Sequence, residues 1–126
     1  MRKIKKTELL KACETILQEY KDKTHEAVCS KCSLCKLYYH YSGNIRPCPQ
    51  CPMRVFALRG AVGCNQRRCS PVFSRECSNV QQQSVIEFYK LFIKKLIKMT
   101  DKEINKPKAF IFLREIDEMI ANKYGL

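Results

Sequence analysis

Apolar side chains recur every three or four residues at both ends of the chain, and this spacing disappears in the middle. Over residues 1–26 the spacing predicts one amphipathic helix, with Thr7 as its N-cap and Glu8 in its first turn. Cys13 lies by itself on the apolar stripe, so we expect a small core residue there rather than a ligand. The stripe consists of Ile4, Leu9, Leu10, Cys13, Ile16, Leu17 and Tyr20.

Residues 80–126 return to the helical spacing and predict two more helices. Thr100-Asp101-Lys102-Glu103 matches a capping box that opens a new turn, Pro107 restarts the chain, and Gly125 suits a helix C-terminus. Phe110-Ile111-Phe112 is alternatively a short strand. The predicted apolar positions are Val85, Ile86, Tyr89, Phe92, Ile93, Leu96 and Ile97 in the first helix, and Phe110, Leu113, Ile116, Met119 and Ile120 in the second. The opposite, solvated side of the first helix carries Lys90, Lys94, Lys95 and Lys98.

Residues 27–79 hold eight of the nine cysteines, four of the five prolines and three of the four glycines. Proline blocks helix continuation, so this segment predicts turns and irregular pieces that order only around a cross-link or a metal. With 126 residues the chain suits a single domain. The predicted fold class is mainly α, with an irregular zinc-stabilised cysteine-rich segment between an N-terminal helix and two C-terminal helices.

Two C-x2-C pairs carry the metal prediction: Cys32 with Cys35, and Cys48 with Cys51. Each pair presents two thiolates from a tight turn, and two pairs complete the tetrahedron that zinc prefers. The remaining thiols could form a second zinc site or replace one of the four; an iron–sulfur cluster and a disulfide scaffold of a secreted protein are the alternatives. These remaining thiols are Cys29, Cys64, Cys69 and Cys77.

The two histidines are weaker ligand candidates. His25 could add a nitrogen donor to a mixed site together with Cys29, which follows four positions later. His40 lies among tyrosines and fits a surface or packing role better.

The basic start of the chain is not followed by the apolar run of a secretion signal, and no stretch is apolar enough to span a membrane. We therefore expect a cytoplasmic protein, where clustered cysteines more often bind metal than form disulfides.

The surplus charge is concentrated in the same segment as the cysteines. The whole chain has a formal charge of +12, and residues 27–75 contain eight basic and no acidic residues. Arginine binds phosphates with a planar fork, and several tyrosines and phenylalanines nearby could stack on bases. We predict an anion-binding surface for nucleic acid or another phosphate-bearing ligand, and no membrane partner; alternatively, the cations only balance thiolate charge. The residues are Arg46, Arg54, Arg59, Arg67, Arg68, Arg75, Lys31 and Lys36.

Cys32-Ser33-Leu34-Cys35, Cys48-Pro49-Gln50-Cys51-Pro52, Gly63-Cys64 and Ser70-Pro71 occur in this order along the chain. Over roughly residues 7–98 this resembles a family of small uncharacterised cysteine-rich proteins that are often encoded by phages or prophages. The resemblance implies a metal-binding core carried by Cys32, Cys35, Cys48, Cys51 and Cys64. It also implies a phage origin, which would place the protein in the host cytoplasm and make an acidic host protein a possible partner.

No nucleotide-binding, metalloprotease or nucleophile-elbow motif occurs in the chain. Pro47-Cys48-Pro49-Gln50-Cys51 matches half of the zinc deaminase signature, but no H-x-E precedes it. The sequence therefore predicts a non-enzymatic, zinc-binding interaction module with a basic surface. The alternatives are a phage factor that binds and inhibits or redirects a host protein, and an iron–sulfur or redox protein.

Overall fold

A computed structural model of the chain describes residues 3–25, 32–42 and 78–125, together with Pro52. Among these residues 76% are helical and none forms a strand, which confirms the mainly α class. Most of the predicted cysteine-rich segment lies outside the described residues. The helices are α1 (Lys6–Lys21), α2 (Ser33–Ser42), α3 (Asn79–Lys98), α4 (Asp101–Ile104) and α5 (Phe112–Tyr124).

Helix α1 starts differently from the prediction. It begins at Lys6 after Lys5, without a side-chain cap, so Thr7 lies inside the first turn. The reason is a tertiary contact: the Ile4 N–H donates to Asn105 Oδ1 at 2.9 Å, and the Lys6 N–H donates to Asp101 Oδ1 at 2.6 Å. The Lys6 N–H is one of the first N–H groups of the helix, which have no partner within it, and the distant Asp101 side chain accepts from it. The bond to Asn105 fixes the chain directly before the helix.

The core lies where α1 and α5 pack on α3. Phe92 of α3 meets Phe110 and Phe112 edge to face, with ring centroids 5.6 and 6.1 Å apart. Cys13 is fully buried in this core, as predicted.

Met119 is 53% exposed and Ile97 is 58% exposed, so both were wrongly assigned to the apolar stripes. Each lies next to a buried residue in the sequence, but a helix with 3.6 residues per turn places its side chain roughly 120° away from the buried face. The four predicted lysines of α3 are exposed.

The ends of the C-terminal helices follow the local signals. Thr100 and Glu103 form the predicted capping box of α4, and Gly125, at a φ of 70°, caps α5. A second capping box, which we did not predict, joins Ser78 and Gln81 at the start of α3. Residues 110 and 111 form a turn and α5 begins at Phe112, so the strand alternative is wrong.

Helix α2 corrects the prediction that residues 27–79 lack helix. Ser33–Ser42 contains neither proline nor glycine, and its Leu34 and Tyr38 are spaced one turn apart. Both side chains are buried in the common core, and α2 packs against α1. The segment that starts the cysteine-rich region is thus part of the helical body.

None of the helices in the described part of the chain has the length and apolar character needed to cross a membrane.

Candidate metal centre

The site lies between the end of α1 and the start of α2. After α1 the Lys23 N–H donates to Tyr20 O and the Thr24 N–H donates to Glu19 O, at 3.3 and 2.8 Å. This pair of bonds is a Schellman motif, and Lys23 takes its left-handed position with a φ of 55°. The motif reverses the chain, which brings His25 back against the last turns of α1.

His25 is 1% exposed. Its ring stacks on Tyr20, with centroids 4.7 Å apart and planes 26° apart. Nδ1 lies 3.1 Å from Oε1 of Glu19, which is only partly exposed. The other ring nitrogen, Nε2, is buried, and no nitrogen or oxygen of the described residues bonds to it. The ring also interacts with the thiol of Cys32, the first cysteine of the C-x2-C pair.

Helix α3 supports this arrangement from the other side. The buried Gln82 donates from Nε2 to the backbone oxygen of Tyr20 at 2.8 Å. That carbonyl belongs to the last turn of α1, whose oxygens have no partner within the helix. Gln82 therefore ties the turn that holds His25 to the central helix.

The first described C-x2-C pair lies at the N-terminus of α2. Cys32 precedes the helix, and the Lys36 N–H donates to its backbone oxygen at 3.0 Å. The Cys32 sulfur accepts a hydrogen bond from the Cys35 backbone N–H, which is the bond that a serine or aspartate N-cap accepts. Cys32 is half-buried and Cys35 is buried.

The surroundings of Cys32 favour its thiolate. The Cys35 thiol has the largest effect, and the His25 ring and the Cys35 backbone N–H add to it; together they outweigh burial and lower the pKa of Cys32 far below its ordinary range. Burial acts to lower the pKa of His25, but the neighbouring Cys32 and Glu19 outweigh it and raise that pKa. A thiolate is the form of cysteine that binds metals.

Of the eight cysteines predicted to bind metal, Cys32 and Cys35 lie in the described residues. Cys29, Cys48, Cys51, Cys64, Cys69 and Cys77 lie outside them. Within residues 3–25, 32–42, 52 and 78–125, no three His, Cys, Asp or Glu side chains form a ready-made metal site. A complete centre would therefore need donors from the rest of the chain.

Of the predicted anion-binding residues, Lys36 is described and is exposed on α2. It lines a shallow groove of about 340 Å³ between α1 and α2, together with Lys11 of α1. Ser33, which follows Cys32, also lines this groove. Lys31, Arg46, Arg54, Arg59, Arg67, Arg68 and Arg75 lie outside the described residues.

Sequence reasoning missed two parts of the site. It assigned Glu19 to the polar face of the first helix, and it did not anticipate that His25 lies beside Cys32. The predicted pairing of His25 with Cys29 involves a residue outside the described ones. The seven-residue step from His25 to Cys32 has no meaning of its own until the turn after α1 reverses the chain. The clearer signal of this site in the sequence was the C-x2-C pair, which lies directly before a stretch without proline.

No protein-family model, curated protein or solved structure matches this chain.

Proposed function

We propose that this protein is a zinc-organised binding module whose basic cysteine-rich segment takes up a phosphate-bearing ligand, nucleic acid foremost. The observation that carries this proposal is the C-x2-C pair at the start of α2, where a backbone N–H and the second thiol both favour the Cys32 thiolate. Zinc binds such thiolates in tetrahedral sites. The second C-x2-C pair, Cys48 and Cys51, supplies further donors in the proposed centre.

The position of the pair in the fold supports a structural metal. Leu34 and Tyr38 anchor helix α2 in the core, and this packing holds the start of the helix, with Cys32 and Cys35, in place. The chain then continues into the segment with the other C-x2-C pair and most of the prolines. An ion held at a rigid helix end and by later cysteines would organise that segment, because metal binding energy is folding energy in such modules.

The charge supports an anionic ligand. Residues 27–75 contain eight basic and no acidic residues, so thiolates on zinc offset only part of this charge. In the described part of the chain, Lys36 and Lys11 line the same groove, together with one acidic residue, Glu8, and with Ser33 of the C-x2-C segment. A phosphate backbone that follows this groove would pass close to the proposed centre.

The first test measures the metal content of the purified full chain by elemental analysis. We expect zinc, in one or two equivalents. A zinc-free chain in which Cys32 and Cys35 form a disulfide reversibly would instead support a dithiol redox protein, and a brown chain that contains iron would support an iron–sulfur protein.

The second test measures the affinity for single-stranded and duplex nucleic acid. Because counterion release governs phosphate binding, we expect a steep fall in affinity between about 50 and 200 mM salt. Lys36→Glu should weaken binding, whereas Lys90→Glu, which changes an exposed lysine of α3, serves as the matched control. Salt-independent affinity, or nuclease-resistant co-purification with one acidic protein, would contradict the nucleic-acid proposal and support a protein partner.

A further inference from the structure

A second concentration of positive charge lies in the helical body, at the end where α1 begins and α3 ends. Residues 3–6 and 94–108 together contain nine lysines and two acidic residues. The two segments are joined by hydrogen bonds, since the backbone N–H and C=O of Ile4 both bond to the side chain of Asn105 at 2.9 Å. The fold therefore brings together two lysine-rich segments that lie far apart in the sequence.

The lysines at this end of the body lie in solvent. Six of them are exposed and are called the lysine end below: Lys3, Lys5, Lys94, Lys98, Lys102 and Lys106. In the described part of the chain, none of the six forms a salt bridge. The two carboxylates nearby accept from backbone N–H groups, Asp101 from Lys6 at 2.6 Å and Glu103 from Thr100 at 3.0 Å. Because like charges that are gathered in this way repel one another, the lysine end favours an anionic partner.

The kinds of side chain present indicate a partner that is bound through its phosphates. Lysine is a compact point charge without the planar fork of arginine, so it binds phosphate with little geometric selectivity. No aromatic side chain of the described residues is exposed, so this end offers no platform on which bases could stack. Duplex nucleic acid, which carries one negative charge per about 1.7 Å of its axis, fits such a surface best.

A membrane surface fits the lysine end less well. Lasting contact with a bilayer requires an apolar face that enters the headgroup region. In the last two turns of α3, Phe92 and Leu96 are buried and Ile93 packs against the core. Among the apolar residues of these two turns, only Ile97 is exposed, which is too little for insertion.

We propose that the lysine end is a second contact surface of this protein for nucleic acid, which binds the phosphate backbone of a duplex without reading its sequence. This inference rests on the proposed function for the class of ligand, but it requires neither zinc nor the cysteine-rich segment. The duplex would contact the helical body itself.

The test compares two double variants of the full chain that have the same net charge. Lys98→Gln/Lys102→Gln removes two charges of the lysine end, and Lys21→Gln/Lys90→Gln removes two charges elsewhere. Lys21 is an exposed residue at the far end of α1. Lys90 follows Glu87 by three positions on α3, so that carboxylate partly offsets its charge.

The affinity for a short duplex is measured by fluorescence anisotropy between about 50 and 200 mM salt. For Lys98→Gln/Lys102→Gln we expect the slope of log affinity against log salt to fall by about 1 for each lysine removed. The fall should be equal for two duplexes of unrelated sequence, because phosphate contacts carry no sequence information. The control variant should retain the slope of the wild type.

Equal slopes in the two double variants would overturn the lysine end as a contact surface, and a loss that depends on the duplex sequence would overturn backbone recognition. Binding to vesicles that contain phosphatidylserine, without affinity for the duplex, would identify a membrane as the partner instead.

The two proposals can fail separately. If the slope responds to Lys36→Glu but not to Lys98→Gln/Lys102→Gln, the lysine-end proposal fails and the proposed function stands. If it responds to the double variant but not to Lys36→Glu, in a chain that contains no zinc, the proposed function fails and the lysine end stands.

Lysine acetylation of the wild type gives a second measurement that needs no variant. Exposed lysines are acetylated with and without the duplex, and mass spectrometry gives the rate at each residue. We expect the duplex to slow the reaction of Lys98 and Lys102 several-fold and to leave that of Lys21 unchanged. Unchanged rates at Lys98 and Lys102 would contradict the proposal.

Discussion

The turn that buries His25 depends on Lys23, a residue type that is unfavourable in the backbone conformation it adopts here. Lys23 has a φ of 55°, in the left-handed region that is unfavourable for residues other than glycine and asparagine. The turn is nevertheless completed, because two backbone hydrogen bonds close the Schellman motif and Gln82 holds the preceding carbonyl. These hydrogen bonds thus compensate for the unfavourable backbone conformation of Lys23.

Replacing Lys23 with glycine should stabilise the protein. Glycine removes a conformational cost of about 1 kcal/mol, and its greater freedom in the unfolded chain takes back part of this gain. We expect a net increase of about 0.5 kcal/mol in the free energy of urea unfolding. Lys11→Gly, at an exposed position in the middle of α1, should lower it by about 0.5–1 kcal/mol. A destabilised Lys23→Gly would contradict the role of this turn.

Glu87 adds a pH-dependent contact between α3 and α5. Lys123 Nζ lies 2.9 Å from its Oε1, Tyr124 donates to its Oε2 at 2.7 Å, and both bonds lower the pKa of Glu87. A lowered folded-state pKa means that this stabilisation is complete above the unfolded-state pKa and disappears as the pH falls through the folded-state pKa.

Glu87→Gln should therefore destabilise the protein at neutral pH by at most about 0.5 kcal/mol, because the contact is partly exposed. The difference from the wild type should vanish at acidic pH, below the folded-state pKa. Thermal unfolding across this pH range measures it, with the exposed Glu118→Gln as control. A constant difference at all pH values would show that the ionised carboxylate is not responsible.

At the scale of elements, α2 connects the helical body to the cysteine-rich segment. Its apolar side belongs to the core through Leu34 and Tyr38, and its first turn carries the C-x2-C pair. The sulfur of Cys32 also takes the place of an N-cap oxygen. A single residue thus serves both the start of the helix and the proposed centre, and serine can separate the two roles.

Cys32→Ser keeps an acceptor for the Cys35 N–H but removes the thiolate. We expect nearly unchanged helical content of the metal-free protein and a loss of zinc in elemental analysis. Cys13→Ala is the matched control, because Cys13 is a fully buried core cysteine, and it should retain the zinc. Full zinc content in Cys32→Ser would remove Cys32 from the proposed centre.

At the scale of the whole molecule, the residues of the described core and the residues that carry the charge surplus lie largely in different parts of the sequence. The described core comes mainly from α1, α3 and α5, with Leu34 and Tyr38 of α2 and Ile104 of α4, and it is dominated by aliphatic and aromatic groups. The charge surplus and eight of the nine cysteines lie in residues 27–77. We therefore expect the helical body to tolerate loss of the metal.

A chelator should remove zinc while the far-UV circular dichroism of the helices changes little. In the same experiment the cysteines of residues 27–77 other than the buried Cys35 should become reactive toward a thiol reagent, whereas Cys13 should stay protected by burial. Mass spectrometry of the labelled thiols identifies which ones reacted. Cooperative loss of all helical signal on chelation would show that the core depends on the metal after all.

The sequence by itself determined the helices at the two ends, the burial of Cys13 and the capping box at Thr100, because periodicity and capping act over a few residues. It also identified the C-x2-C pair as a candidate metal site. Only the tertiary structure decided that the side chains of Asp101 and Asn105 accept hydrogen bonds at the start of α1, and that α2 packs into the core. The same holds for His25, whose neighbours Glu19 and Cys32 meet only after the chain reverses. Contacts between polar groups depend on how the helices pack, and no local pattern encodes that packing.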